Sequence, residues 1–267
     1  MSVRALKHTR NLSFVVAGLL FAGVAIAQTP EERGLEIATM VQAQDDGFTD
    51  SESAMTMTLI NRSGKKSTRR MRSRVLEVQG DGDKSMSIFD EPADVKGTAS
   101  LTHSHATEAD EQWLYLPALK RVKRISSKNK SGPFMGSEFA FEDISSQEVD
   151  KYTYKYIGDD EVDGVAVYKV EAIPAYKHSG YTRLVNWTDQ EKLVALKVEY
   201  FDRKNSPLKT LTISDYQRYL DQFWRAGSMH MQNEQTGKST ILEWSDYKFK
   251  TGLTDKDFDS KALKRIR

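Results

Sequence analysis

Apolar and polar positions alternate with period two along most of this chain. In residues 53–61, "SAMTMTLIN", Met55, Met57 and Leu59 share one face while Thr56 and Thr58 share the other. That spacing predicts a strand with one buried side. Residues 84–92, "KSMSIFDEP", set Met86 and Ile88 together opposite two serines. Residues 151–175 read as two strands around an acidic turn closed by glycine, and similar stretches recur to residue 249. About ten or eleven short strands without intervening helices predict an antiparallel sheet that closes or curls on itself. There is no internal repeat or low-complexity linker, so one domain is expected.

One helix is predicted ahead of the strands, over "TPEERGLEIATMVQAQDDG". Thr29 is placed to cap it, Pro30 suits the first helical position, and Glu32 completes a capping box. Leu35, Ile37, Ala38 and Val41 form its apolar stripe, and Gly47 ends it. Either this small amount of helix covers the apolar sheet face, or the sheet curls to bury it, around a filled core or a cavity. The apolar positions are rich in methionine and aromatics: Met55, Met57, Met71, Met86, Trp113, Tyr115, Phe134, Met135, Phe139 and Phe141. Methionine adapts to irregular space, which suits a pocket for a flexible apolar ligand and suits an ordinary core as well.

The first residues bear on compartment. Arg4, Lys7 and Arg10 precede an uncharged run from Leu12 to Ala27 that ends Ala25-Ile26-Ala27. A basic start, a short apolar run and an A-x-A site predict a cleavable secretory signal over residues 1–27. The mature chain would be residues 28–267, soluble and periplasmic. Loss of three basic and no acidic residues takes the formal charge from +1 to −2. A near-neutral exported chain is a poor nucleic-acid binder. The absence of cysteine excludes disulfides, thiol catalysis and thiolate metal sites.

Candidate chemistry is sparse. His103 and His105 stand two apart, which sets them on one face of a strand, but two imidazoles need further ligands to hold a metal. His178 and His230 show no metal spacing. Carboxylate pairs such as Asp45-Asp46 and Asp159-Asp160 fall beside turn glycines. No nucleophile elbow or phosphate-cradling glycine loop is present. The residues thus ask for no enzyme, cofactor or metal. A basic run of Lys120, Arg121, Lys123, Arg124, Lys128 and Lys130 reads as a solvated strand and loop, or as a footing for anionic headgroups or an acidic partner.

That run lies inside "WLYLPALKRVKRI", followed by "SGPFMGSEFAFEDI". These segments closely resemble the LolA-like outer-membrane lipoprotein-sorting protein family. "FDEPADVKGTASL" upstream, and Trp224 followed by "MHMQNEQTGKSTIL", resemble it too, so the likeness runs over residues 31–258. The resemblance implies a mainly β, α+β fold of the LolA/LolB type: an unclosed, strongly curved antiparallel barrel with a helical lid over its mouth. It implies an apolar cavity for lipid or lipoprotein acyl chains, carried between the inner and outer membranes. Trp113 of the W-x-Y-x-P strand would face that cavity, with Tyr115 and Pro117 matching the positions after it. Met55, Met57, Leu59, Met86 and Ile88 are expected beside them, and Phe134, Met135, Phe139 and Phe141 in the lid. Lys120, Arg121, Lys123 and Arg124 would contact headgroups or a partner. The implied partners are an MMPL/RND-type inner-membrane exporter and an outer-membrane acceptor. The other reading is a structural or adaptor subunit of an export system, its barrel filled by its own side chains. A hydrolase is the weakest reading, for want of a nucleophile.

Overall fold

The computed structural model describes residue 1 and residues 28–265. The expected signal segment, residues 1–27, lies outside the described residues apart from Met1. Helix α1 (Pro30–Asp45) starts as the capping box requires. Thr29 Oγ1 accepts from the Glu32 amide at 3.1 Å, and the Thr29 amide donates to the Glu32 carboxylate at 2.8 Å. Two reciprocal bonds satisfy amides that a bare helix start would orphan.

Strands dominate the rest. In chain order come β1 (Asp50–Ile60), β2 (Lys66–Leu76), β3 (Lys84–Glu91), β4 (Ala99–His103), β5 (Glu111–Leu116) and β6 (Arg121–Ile125). A long connection with four 3-10 turns then leads to β7 (Tyr152–Val162) and β8 (Val165–Pro174). β9 (Arg183–Asp189), β10 (Ala195–Phe201), β11 (Pro207–Ser214), β12 (Gln217–Tyr219), β13 (Phe223–Arg225), β14 (Ser228–Asn233) and β15 (Ser239–Phe249) complete the set. Among the described residues fifteen strands exceed the ten or eleven expected. The surplus includes β12 and β13, three residues each and too short to show an alternation.

Thirteen strands form one antiparallel sheet in the order β6-β5-β4-β3-β2-β1-β15-β14-β11-β10-β9-β8-β7. The edges, β6 and β7, do not pair with each other, so the barrel is unclosed. Those edges are consecutive strands in the chain, and residues 126–151 run from one to the other.

Register shows which residues share a face. Met55 pairs with Met71, Met71 with Phe89, and Met57 with Arg69, so these side chains point to the inner face. Ile88 and Met86 pair with Arg72 and Arg74 and point outward, as do Leu101 opposite Met86 and Trp113 opposite Leu101. The inner face carries the main core, Met55, Met57, Met71, Phe89, Leu184, Val198, Tyr200, Leu211 and Met231 among its members.

The outer face of β3–β6 has a core of its own. Met86, Ile88, Ala99 and Leu101, flanked by Trp113, Tyr115 and Val122, are covered by Phe258 and Leu263 from the C-terminal segment. That segment is tied down at its start by the buried Asp50 carboxylate, which accepts from the Thr251 amide at 2.7 Å. Further along, Lys84 reaches Asp255 at 2.6 Å and His103 Nε2 lies 2.8 Å from the Phe258 carbonyl.

Candidate functional site: a cavity beneath the helix

The connection from β6 to β7 enters the curved sheet and fills part of it. Phe134 and Phe139 are buried in the main core, and Phe134 stacks edge-on with Phe141, ring centroids 5.5 Å apart. Polar anchors hold the segment there. Lys209 on β11 donates to the Glu138 carbonyl at 2.9 Å and to Asp143 at 2.8 Å, and Tyr181 donates its hydroxyl to Asp143 at 2.8 Å. Glu142 accepts from the Gly180 amide and the Ser179 hydroxyl, each at 2.8 Å. Asp110 binds both Lys130 and Lys151, pinning the connection next to the start of β7. Burial alone would raise the Asp110 pKa, but the hydrogen bond and charge of Lys151, with the charge of Lys130, hold it below the usual range.

The remaining space lies beneath α1. A cavity of about 780 Å3 is roofed by Ile37, Ala38, Val41 and Gln42 of the helix. Its floor is the inner face of β8–β10, at Val170, Asn186 and Ala195, and its rims are the β2–β3 turn and residues 146–149. A second cavity of about 360 Å3 adjoins it, sharing Val41, Asp45, Phe48, Asp83 and Ala195, and reaches Val75, Met229 and Trp244. The larger volume falls in the range that admits a small ligand or part of a long one.

Two kinds of contact hold the roof. Gly34 brings the helix backbone onto β7: a Cβ there would lie 2.8 Å from the Tyr156 nitrogen and 2.9 Å from that of Lys155. The expected apolar stripe ignored this glycine. The buried helix residues are Gly34 and Ile37, while Leu35 is 47% exposed. At its C-terminal end the helix is lashed by polar groups. Gln42 donates to Glu148 at 3.2 Å and accepts from the Val149 amide at 3.3 Å, and Asp45 pairs with Arg225.

Apolar walls carry an acidic rim. Burial pushes the Asp83 carboxyl up to about 7, with the nearby Glu148, Asp45 and Glu77 adding to the rise against a hydrogen bond from the Val78 amide. Burial likewise raises Asp45, opposed by Arg225, and Glu148, opposed by Lys151. Asp81, exposed at the edge, is held down to about 2, chiefly by its hydrogen bond to His105.

The expected site residues do not gather at this cavity. Trp113, Tyr115, Met86 and Ile88 sit on the outer face beneath the C-terminal segment, a correction to their expected place in an inner cavity. Alternation specifies which residues share a face, but not which face curls inward. Met55, Met57 and Leu59 do point inward, yet they pack within the main core beside the connection rather than on the cavity wall. Phe134, Met135, Phe139 and Phe141 plug the interior instead of lying over a mouth as a helical lid; among the described residues the one α-helix is α1. Lys120, Arg121, Lys123 and Arg124 lie together and exposed at edge strand β6.

His103 and His105 do not share a strand face, because β4 ends at His103. Among the described residues no group of three or more His, Asp or Glu is arranged to hold a metal, and no helix is long and apolar enough to cross a membrane. Ile37, Ala38 and Val41 were read as a stripe to be buried but not as a cavity roof, and the cavity floor went unread. Its signals, a glycine within α1 and the lining side chains of β8–β10, are too common to single out.

A family whose description reads "-like: Uncharacterized protein" matches residues 81–265. No curated protein matches the chain. A solved domain from Vibrio parahaemolyticus, named for outer membrane lipoprotein sorting, is 56% identical. The match covers 88% of this chain and 100% of that one, with a TM-score of 0.87. A DUF1329 family protein from Desulfovibrio piger is 33% identical over 88% of this chain and 99% of its own, with a TM-score of 0.84. A LolA superfamily protein from Nitrosomonas europaea shares the fold at 18% identity, covering 85% and 97% of the two chains, with a TM-score of 0.68.

Proposed function

This chain belongs to the LolA-like outer-membrane lipoprotein-sorting family, and from that membership we propose that it is a non-enzymatic periplasmic carrier of lipid or lipoprotein acyl chains. The observation that carries this reading is the pair of adjoining cavities beneath α1. An apolar chain in water gains about 0.8 kcal/mol for each CH2 it buries, so a modest cavity suffices to hold one. Release is as necessary as uptake. The polar lashings of α1 through Gln42 and Asp45 exchange readily with water, whereas a roof sealed by large apolar contacts would not. In this reading Ile37, Val41, Phe48, Val170 and Ala195 line the acyl site, and Val75, Met229 and Trp244 extend it. Delivery from an MMPL/RND-type inner-membrane exporter to an outer-membrane acceptor is the route proposed. Lys120, Arg121, Lys123 and Arg124 supply the contact with an anionic partner or headgroup.

Native mass spectrometry of protein exported to and purified from a periplasm tests the proposal. The expected spectrum contains lipid adducts that Ala195→Trp removes without altering the far-ultraviolet spectrum of the fold. A homogeneous bare mass, with no uptake on incubation with phospholipid vesicles, would overturn it. One observation favours the adaptor reading instead: the interior between β1 and β11 is filled by Phe134, Phe139 and their polar anchors. That reading predicts the bare mass together with stable co-purification of a membrane transporter.

A further inference from the structure

The two open edges of the sheet are treated differently. At β7, α1 lies directly against the backbone of Lys155 and Tyr156. At β6, among the described residues, no backbone hydrogen bond reaches the outward-facing groups of residues 121–125. A strand edge left open is a template for another strand.

The side chains on β6 restrict what that strand can be. Arg121 and Lys123 project to the face shared with Leu114 and Leu116; Val122 and Arg124 project to the face shared with Tyr115 and Trp113. Arg124 pairs with Glu111 and lies over the Trp113 ring, 6.0 Å from its centroid. Lys120, Arg121 and Lys123 are exposed, and among the described residues none of the three makes an ion pair. Val122 is half-buried against the outer-face core, and Leu119, just ahead of the strand, is 62% exposed.

We infer that the β6 edge is the docking site for an extended acidic segment of a partner protein, which adds to the sheet as a further strand. Directly opposed side chains in an antiparallel pair lie roughly 4.5–5.5 Å apart, close enough for opposite charges to attract and like charges to repel. Carboxylates two residues apart on the incoming strand stand opposite Arg121 and Lys123, with an apolar residue between them over Val122. Pairing of β6 with the β6 of a second copy is disfavoured by the same geometry, since it sets cation against cation. Charge therefore works against β6–β6 self-association and favours an acidic strand. No residue of this edge lines either cavity, so the inference rests on the anionic contact proposed above for these cations and not on what the cavities hold.

Fluorescence anisotropy with short synthetic peptides on the purified chain, at physiological ionic strength, tests it. A peptide alternating Glu and Val is expected to bind. Its Lys/Val counterpart is expected not to, and Arg121→Glu/Lys123→Glu is expected to weaken binding about tenfold or more. The same Glu/Val peptide N-methylated at alternate amides keeps its charge but cannot pair as a strand, and is expected to lose binding. Retained binding by the methylated peptide would reduce the site to a charge patch and overturn the inference. Binding of phosphatidylglycerol vesicles without binding of the Glu/Val peptide would assign the surface to a membrane and overturn it equally.

Discussion

Lys209 on β11 and Asp143 in the β6–β7 connection meet inside the curved sheet, Nζ to Oδ2 2.8 Å, each side chain 5% exposed. The ammonium also lies over the rings of Tyr181 and Tyr200, 5.0 and 5.3 Å from their centroids. Two charges have been taken from water to hold one connection in place, and each depends on the other. Asp143→Ala should therefore cost about 3–5 kcal/mol, because it strands a buried ammonium. Lys209→Met combined with Asp143→Leu should recover most of that loss in urea titrations. Equal destabilisation by single and double variants would show that the pair does not act as a unit.

The outer-face core separates stability from cargo. Phe258→Ala empties a fully buried site against Met86 and Leu101 and should cost about 3–5 kcal/mol. It should leave lipid adducts in native mass spectra unchanged. Ala195→Trp should show the opposite pattern, with adducts lost and the fold retained. Loss of adducts in a folded Phe258→Ala protein would mean that the two faces are coupled.

Gly34 is a point of close approach where helix propensity and packing oppose each other. Alanine in a helix interior is normally better than glycine by about 1 kcal/mol. Here its Cβ would meet backbone nitrogens of β7 at 2.8 and 2.9 Å, which side-chain movement cannot relieve. Gly34→Ala should destabilise by about 1–3 kcal/mol and speed hydrogen exchange at the Lys155 and Tyr156 amides. A rise in melting temperature would contradict the packing described.

Asp83 makes stability depend on pH. Its folded pKa is pushed up to about 7, above the ordinary 3.8, chiefly by burial. The folded state thus holds a proton that the unfolded state releases between these values. Its contribution is greatest below about pH 4, falls as pH rises toward about 7, and is flat above. Asp83→Asn, which keeps an oxygen for the Val78 amide, should match the parent near pH 4. Near pH 8 it should be more stable, on the order of 1–3 kcal/mol. A constant difference at both pH values would locate the effect outside this ionisation.

Much of this was legible in residue order, for local physical reasons. The cap of α1 follows from Thr29, Pro30 and Glu32, all within one turn, and β1 follows from Met55, Met57 and Leu59 against Thr56 and Thr58. The motif around Trp113 identified the family, and its run of cations, read as a strand and loop, holds β6.

What the sequence determined alone was periodicity, capping, charge and kinship, each set by residues near one another in the chain or by a motif read whole. Only the tertiary structure decided which side of each strand became the interior. A one-residue choice of face exchanges Trp113 and Met86 for Gln112 and Ser87, and the choice was settled by Phe258, far along the chain, covering the outer side. It also decided that residues 126–151 fill the sheet, and that Gly34 lets α1 roof what space remains. Burial depends on which distant segments meet, and no local pattern encodes that meeting.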